Sequence, residues 1–184
     1  SKQSRGLGDV YKRQGIEKEK IEAIIHPEGL VHSFVEFVDG TTLASMAKPD
    51  MKIPISYGLG FPKIIDNKIS KVDLQKLANL SFEKIDRKKF PSIDFAYYAI
   101  NQGRGMPIVL NAANELAVDY FMKEKIKFTD IFRLISSTLS YVEKNNIKLK
   151  SVSLDSILNF YDEIKEITSK NLKNFIKWLT LSTY

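Results

Sequence analysis

Two groups of residues in this chain have the types and spacing to do chemistry. The first is a pair of histidines, His26 and His32, in the stretch Ile24-Ile-His-Pro-Glu-Gly-Leu-Val-His-Ser-Phe34. An imidazole can ligate a metal, move a proton or hold a hydrogen bond. A shared metal would need more ligands, yet the chain has 2 histidines and no cysteine. Nothing else has the spacing of a known zinc or transition-metal shell. Pro27 and Gly29 also interrupt the strand between the two rings. One histidine acting in a pocket wall, with the other structural, is the better reading. The second group is Asn111, Asn114 and Glu115 in Leu110-Asn-Ala-Ala-Asn-Glu115, on one face of a helix. Set among alanines, it suits a clasp between close helices better than catalysis. Neither a Gly-x-Gly-x-x-Gly nor a Walker A, His-Glu-x-x-His or Gly-x-Ser-x-Gly motif occurs. Gly103-Arg-Gly-Met-Pro107 is too short and too late in the chain to cradle a phosphate.

These residues must be positioned by their elements. Ile21–His26 reads as a strand stopped by Pro27. Leu30–Val38 and Thr41–Ala47 flank Asp39-Gly40, a strong hairpin signal. With a two-residue loop, Val38 faces Thr41, Phe37 faces Thr42 and His32 faces Ala47. Cross-strand neighbours lie roughly 5 Å apart, which brings His32 close to the loop of Pro49–Met51. Asp50 caps a helix from Met51 to Phe61, with Pro54 in its first turn and Pro62 after its Gly-rich end. Residues 63–91 read as a polar connector, with a short helix after Asp73 and a strand over Leu80–Ile85.

From Ser92 the pattern is helical. Ser92 is expected to cap a helix to Gln102, with Gly103 as its left-handed stop. Pro107 opens the next, whose apolar face is Val109, Leu110, Ala113, Leu116, Ala117, Tyr120 and Phe121. Thr129 is expected to cap a third helix with Ile131, Leu134, Ile135, Thr138, Leu139 and Val142 inward. Ser153 caps a fourth, with a stripe through Ile157, Leu158, Tyr161, Ile164, Leu172, Phe175 and Ile176. The fold class is therefore α+β, a small hairpin layer with a helix followed by a four-helix bundle.

Composition narrows the function classes. With 43% hydrophobic and 27% charged residues among 184, the chain can bury a core and is not of disordered type. No run of about 18 apolar residues suggests a membrane span, and no signal peptide is visible. The absence of cysteine excludes disulfides and a thiolate nucleophile and fits a reducing compartment. The net charge of +6 comes from scattered lysines such as Lys18, Lys63, Lys76 and Lys127, not from a stripe with aromatics. That pattern reads as a solvated surface and not a nucleic-acid face.

Taken together, Ile-His-Pro-Glu-Gly-Leu-Val-His-Ser, Asp39-Gly40, Pro49-Asp-Met51 with Pro54, Leu110-Asn-Ala-Ala-Asn-Glu115 and Phe128-Thr-Asp-Ile131 resemble 1-deoxy-D-xylulose 5-phosphate reductoisomerase. Their order and spacing match the C-terminal portion of that family from about Gly15 to about Lys165. The resemblance implies an NADPH-dependent rearrangement and reduction to 2-C-methyl-D-erythritol 4-phosphate, in the non-mevalonate route to isoprenoids. It also implies a divalent metal (Mg, Mn or Co), a small phosphorylated sugar substrate, a homodimer, and a cytoplasmic or plastid location. Residues 15–62 would be the end of the catalytic domain, 63–91 a connector and 92–184 the C-terminal helical domain.

The dinucleotide domain, metal carboxylates and substrate-gripping residues of the family would precede Gly15. Residues 1–14 read as a leader unrelated to it, since Arg5-Gly-Leu-Gly8 lacks the glutamate of the family's Lys-Gly-Leu-Glu motif. By the resemblance, His32 is the active-site histidine, with a positioning or hydrogen-bonding role, and Pro49 and Met51 pack near the nicotinamide end of the cofactor. No residue of this chain is carried over as a metal ligand. The chain departs from the family's usual His-Pro-Gln-Ser at Glu28 and Gly29, which adds a charge and removes a hydroxyl.

Overall fold

A computed structural model describes residues 17–66, 68–103 and 105–181, with the side chains of Lys18 and residues 174–181 left aside. The expected leader over residues 1–14, and the inward placement of Phe175 and Ile176, lie outside what is described. The chain forms two compact units: Ala23–Ile85, and the described residues up to Glu22 together with those from Asp86 onward.

In the Ala23–Ile85 unit, strands β1 (Val31–Glu36) and β2 (Thr42–Met46) form an antiparallel hairpin. The hairpin stands where the sequence puts it, but its register differs. Phe37 and Thr41 close a three-residue loop, Phe37 N–H donating to the Thr41 carbonyl at 2.9 Å. Glu36 then faces Thr42 and Phe34 faces Ala44. A two-residue loop of the expected kind needs positive φ at both central positions. Only Gly40 takes it, at 85°. Asp39 instead accepts from Thr41 N–H at 2.9 Å and Thr41 Oγ1 at 2.6 Å, which fixes a tight turn of its own.

A register irregularity between Val31 and Ser33 makes His32 the extra residue of a β-bulge. Ala47 therefore faces not His32 but Leu30, to whose carbonyl it donates at 3.0 Å. The expected strands over Ile21–His26 and Leu80–Ile85 shrink to one bridge, Ile25 with Glu83. Pro27 has no N–H with which to continue such a ladder.

Helix α1 (Lys52–Gly60) follows β2. Asp50 caps it as expected, its Oδ1 accepting from Lys52 N–H at 2.9 Å. The connector holds a 3₁₀ turn, Leu74–Lys76, where Asp73 Oδ1 accepts from Gln75 N–H.

The second unit is a bundle of α2 (Ser92–Gln102), α3 (Met106–Met122), α4 (Phe128–Lys144) and α5 (Leu154–Leu181). Ser92 does not cap α2: Pro91 precedes the first turn and no side chain bonds it. Thr129 does not cap α4 either. The helix starts at Phe128, and Asp130, three residues past Lys127, accepts the Lys127 N–H at 3.0 Å. Ser153 does cap α5, its Oγ accepting from Ser156 N–H at 3.4 Å. Val109, Ala112, Ala113 and Ala117 of α3 are fully buried against Leu134, Ile135 and Val142 of α4 and Phe160 and Ile164 of α5. Buried Thr138 donates its hydroxyl to Thr168 Oγ1 at 3.4 Å across α4 and α5, and Thr168 donates in turn to the Ile164 carbonyl at 2.7 Å.

The turn into α3 depends on Gly105, at φ 90°. A Cβ there would stand 2.8 Å from Leu149 Cβ and 3.0 Å from Phe160 Cε1. Gly29, at φ 64°, has nothing within 4 Å. Gly105→Ala should therefore cost both dihedral strain and overpacking, about 2–4 kcal/mol. Gly29→Ala should cost only the dihedral, about 1–2 kcal/mol. Urea unfolding of the two variants checks the difference, and equal costs would mean the space around Gly105 can open.

Candidate functional site

The two histidines meet opposite fates. His26 is sealed, its side chain 3% exposed, while His32 is exposed on the hairpin. His26 Nδ1 lies 2.8 Å from the Ser81 carbonyl and 3.0 Å from Glu28 Oε2. Both neighbours are acceptors, so Nδ1 carries the proton. The imidazole stacks on Phe82 at 4.8 Å between centroids, and Phe34 of β1 meets Phe82 edge-on at 5.2 Å. Its Nε2 is buried without a protein partner. This is a structural histidine, as the sequence suggests.

Glu28, the departure from the usual family turn, builds the rest of this clamp. Its carboxylate accepts from Ser81 Oγ at 2.8 Å and from Ser81 N–H at 3.1 and 3.2 Å. The turn His26–Gly29 closes by Gly29 N–H donating to the His26 carbonyl, and Gly29 takes the positive φ that glycine tolerates. Sequence reasoning missed this role of Glu28, because Ser81 is 53 residues away and no local pattern joins them.

His32 sits at the bulge of β1, which re-aims a side chain relative to the regular ladder. Pro49 and Met51 are both exposed in the loop that leads into α1, Met51 at 58%. Because Leu30 pairs with Ala47, His32 lies farther along β1 from that loop than the expected register puts it. Among the described residues no three His, Cys, Asp or Glu side chains come together to hold an ion.

Of the polar cluster on α3, Glu115 is the member that ties helices together. It accepts from the Tyr161 hydroxyl and lies 3.5 Å from Lys165 Nζ, both on α5. The Lys165 ammonium also lies 4.6 Å over the Tyr161 ring. Burial, then the bond to Glu115, pushes the Tyr161 hydroxyl above its usual pKa. Glu115 here is a clasp between α3 and α5, the reading that its alanine neighbours favour.

Glu28 gives a pH signature. Its bonds to Ser81, first through the side chain, hold its pKa below the usual 4.5. A depressed carboxylate contributes stability that is fully present above 4.5 and is lost as pH falls through the lower folded value. The stability difference between the wild-type chain and Glu28→Gln should stay constant above that pH and shrink toward zero in more acid solution. Thermal unfolding between neutral and strongly acid pH measures it, and a difference flat throughout would dismiss the clamp.

Residues 46–167 match the family model described as the DXP reductoisomerase C-terminal domain. The chain is 42% identical over 144 residues to the 1-deoxy-D-xylulose 5-phosphate reductoisomerase of Endomicrobium trichonymphae, covering 78% of this chain and 36% of that protein. It is 38% identical over 156 residues to the enzyme of that name from Clostridium botulinum, covering 85% and 40%. The reductoisomerase of Zymomonas mobilis, solved in complex with NADPH, superposes with a TM-score of 0.82 at 33% identity over 93% of this chain and 44% of that one. A reductoisomerase solved with NADPH, fosmidomycin and magnesium gives 0.85 at 33% identity, over 92% and 43%. The chain thus spans well under half the length of the relatives it matches. With the family model matched over most of its described residues, this chain belongs to the DXP reductoisomerase C-terminal domain family.

Proposed function

We propose that this chain is the C-terminal part of an NADPH-dependent reductoisomerase that converts 1-deoxy-D-xylulose 5-phosphate to 2-C-methyl-D-erythritol 4-phosphate, and that it acts only within the longer enzyme. What carries this reading is the open apolar surface of the Ala23–Ile85 unit. Helix α1 has no buried residue, and Tyr57, Leu59 and Phe61 are 62%, 80% and 68% exposed. Val35 and Leu43 of the hairpin are 53% and 63% exposed. A largely apolar helix left this uncovered belongs against a larger body. The bundle, by contrast, has a closed core. Residues 15–62 are thus read as the end of the catalytic domain, 63–91 as a connector and 92–184 as the helical domain.

In this enzyme Pro49 and Met51 would pack against the nicotinamide end of NADPH, and His32 would position substrate or cofactor by hydrogen bonding. NADPH would supply the hydride and a divalent metal would act as a Lewis acid toward the substrate's oxygens, and no residue of this chain is assigned as a ligand to that metal. What this chain contributes is shape: a bulge that sets the angle of His32 and a capped loop that holds Met51. A bacterial cytoplasm suits the reading, given the bacterial relatives, and among the described residues no helix is long and apolar enough to cross a membrane. The hairpin's exposed apolar residues also favour a homodimer built through this layer.

The isolated 184 residues should show no NADPH oxidation with substrate and Mg²⁺ or Mn²⁺; turnover would overturn the reading. Joined to the missing part of a relative, the chain should restore activity. In that longer enzyme Met51→Ala should raise the KM for NADPH roughly three- to tenfold with little change in kcat. His32→Gln should lower kcat/KM by about tenfold or more. Steady-state kinetics separate the two, and wild-type values for both variants would remove these residues from the site.

A further inference from the structure

The Ala23–Ile85 unit has one more feature, which the proposed activity does not use. An open depression of about 390 Å³ lies between the end of β2, the first turn of α1 and the segment 69–74 of the connector. That volume is in the range of small-molecule sites, roughly 300–1,000 Å³. Ile53, Val72 and Leu74 supply apolar lining, and Lys48, Ser70 and Lys71 supply the polar groups. Among the described residues no acidic one lines it. Among the described residues neither lysine has a carboxylate partner. Neither Pro49 nor Met51 belongs to it.

The polar side is organised for an acceptor. Lys48 Nζ donates to Ser70 Oγ at 2.9 Å. An ammonium has three N–H groups, so two remain for a ligand. The Ser70 hydroxyl, already accepting from the lysine, has its own proton left to give. Lys71 lines the same depression and adds a second cation to it. All these groups donate and none of the side chains carries a negative charge, so an anion is favoured over a neutral or cationic ligand. The apolar lining alongside favours an anion with a hydrocarbon or aromatic body.

We propose that this depression binds a small amphiphilic anion, an organic phosphate or carboxylate. Its charged head takes hydrogen bonds from Lys48, Ser70 and Lys71, and its body lies on Ile53, Val72 and Leu74. The test is a titration of the full 184-residue chain with octyl phosphate, read by amide NMR. Saturable shifts centred on Lys48, Ser70, Lys71 and Val72 are expected. Inorganic phosphate and octyl glucoside, each carrying half of the chemistry, should bind at least about tenfold more weakly. Lys48→Gln with Lys71→Gln should weaken octyl phosphate by roughly tenfold or more while the rest of the spectrum stays unchanged. Octyl glucoside binding equally well, a double variant that binds like wild type, or shifts spread over α1 and the hairpin would each overturn the proposal. So would sedimentation with phosphatidylglycerol vesicles that the double variant abolishes, which would make the patch a lipid contact.

Discussion

The alanine stripe of α3 is the constraint on which the bundle depends. Ala112, Ala113 and Ala117 are fully buried, and small side chains let neighbouring helices approach closely. The larger residues are supplied by the partners: Leu134, Ile135 and Val142 from α4, Phe160 and Ile164 from α5. Large against small across a helix contact is how a core reaches close packing without voids. The same closeness makes Gly105 necessary at the entry to α3, since Leu149 and Phe160 already fill the space a side chain would need. It also brings Glu115 within reach of Tyr161, so the polar clasp on the outside depends on the small residues inside.

The Ala23–Ile85 unit is held on a different principle. Of its described residues only Val31 is a buried apolar one. Its order comes from polar closures over long sequence distances: Glu28 and His26 with Ser81, the single bridge of Ile25 with Glu83, and Lys48 with Ser70. Charge-assisted bonds to several backbone and side-chain groups can fix a turn where apolar burial does not. Such a unit leaves its hydrophobic side chains free to be covered by something else. One unit is finished by its own packing, and the other is braced in shape but open in surface.

What the sequence disclosed depends on how local each determinant is. The caps at Asp50 and Ser153, and Pro107 at the start of α3, lie within a few residues of what they control, and they were readable. The hairpin was readable from Asp39-Gly40, but its register was not. Register turned on whether Asp39 would take a positive φ or spend its carboxylate on Thr41, and both choices use the same two letters. Thr129 looked like the better cap because it is a hydroxyl next to an apolar run. Asp130 won by reaching back to the Lys127 N–H, a geometry in which the anion also meets the positive end of the helix. In the sequence Glu28 is only a departure from pattern, since its partner Ser81 becomes its neighbour through folding alone. Resemblance singles out His32, whereas its place at a bulge depends on strand pairing that no local pattern announces.

The contrast between the two imidazoles makes the chain its own chemical reporter. The protein has 2 histidines in all, one sealed under Phe82 with its Nδ1 proton committed, the other open on the hairpin. A histidine-selective acylating reagent would therefore meet one accessible ring per folded molecule. The first equivalent consumed would count native hairpins, and a second would appear only when the clamp around Ser81 lets go. Reagent stoichiometry would then report the release of His26 at the turn before Pro27, with no residue substituted.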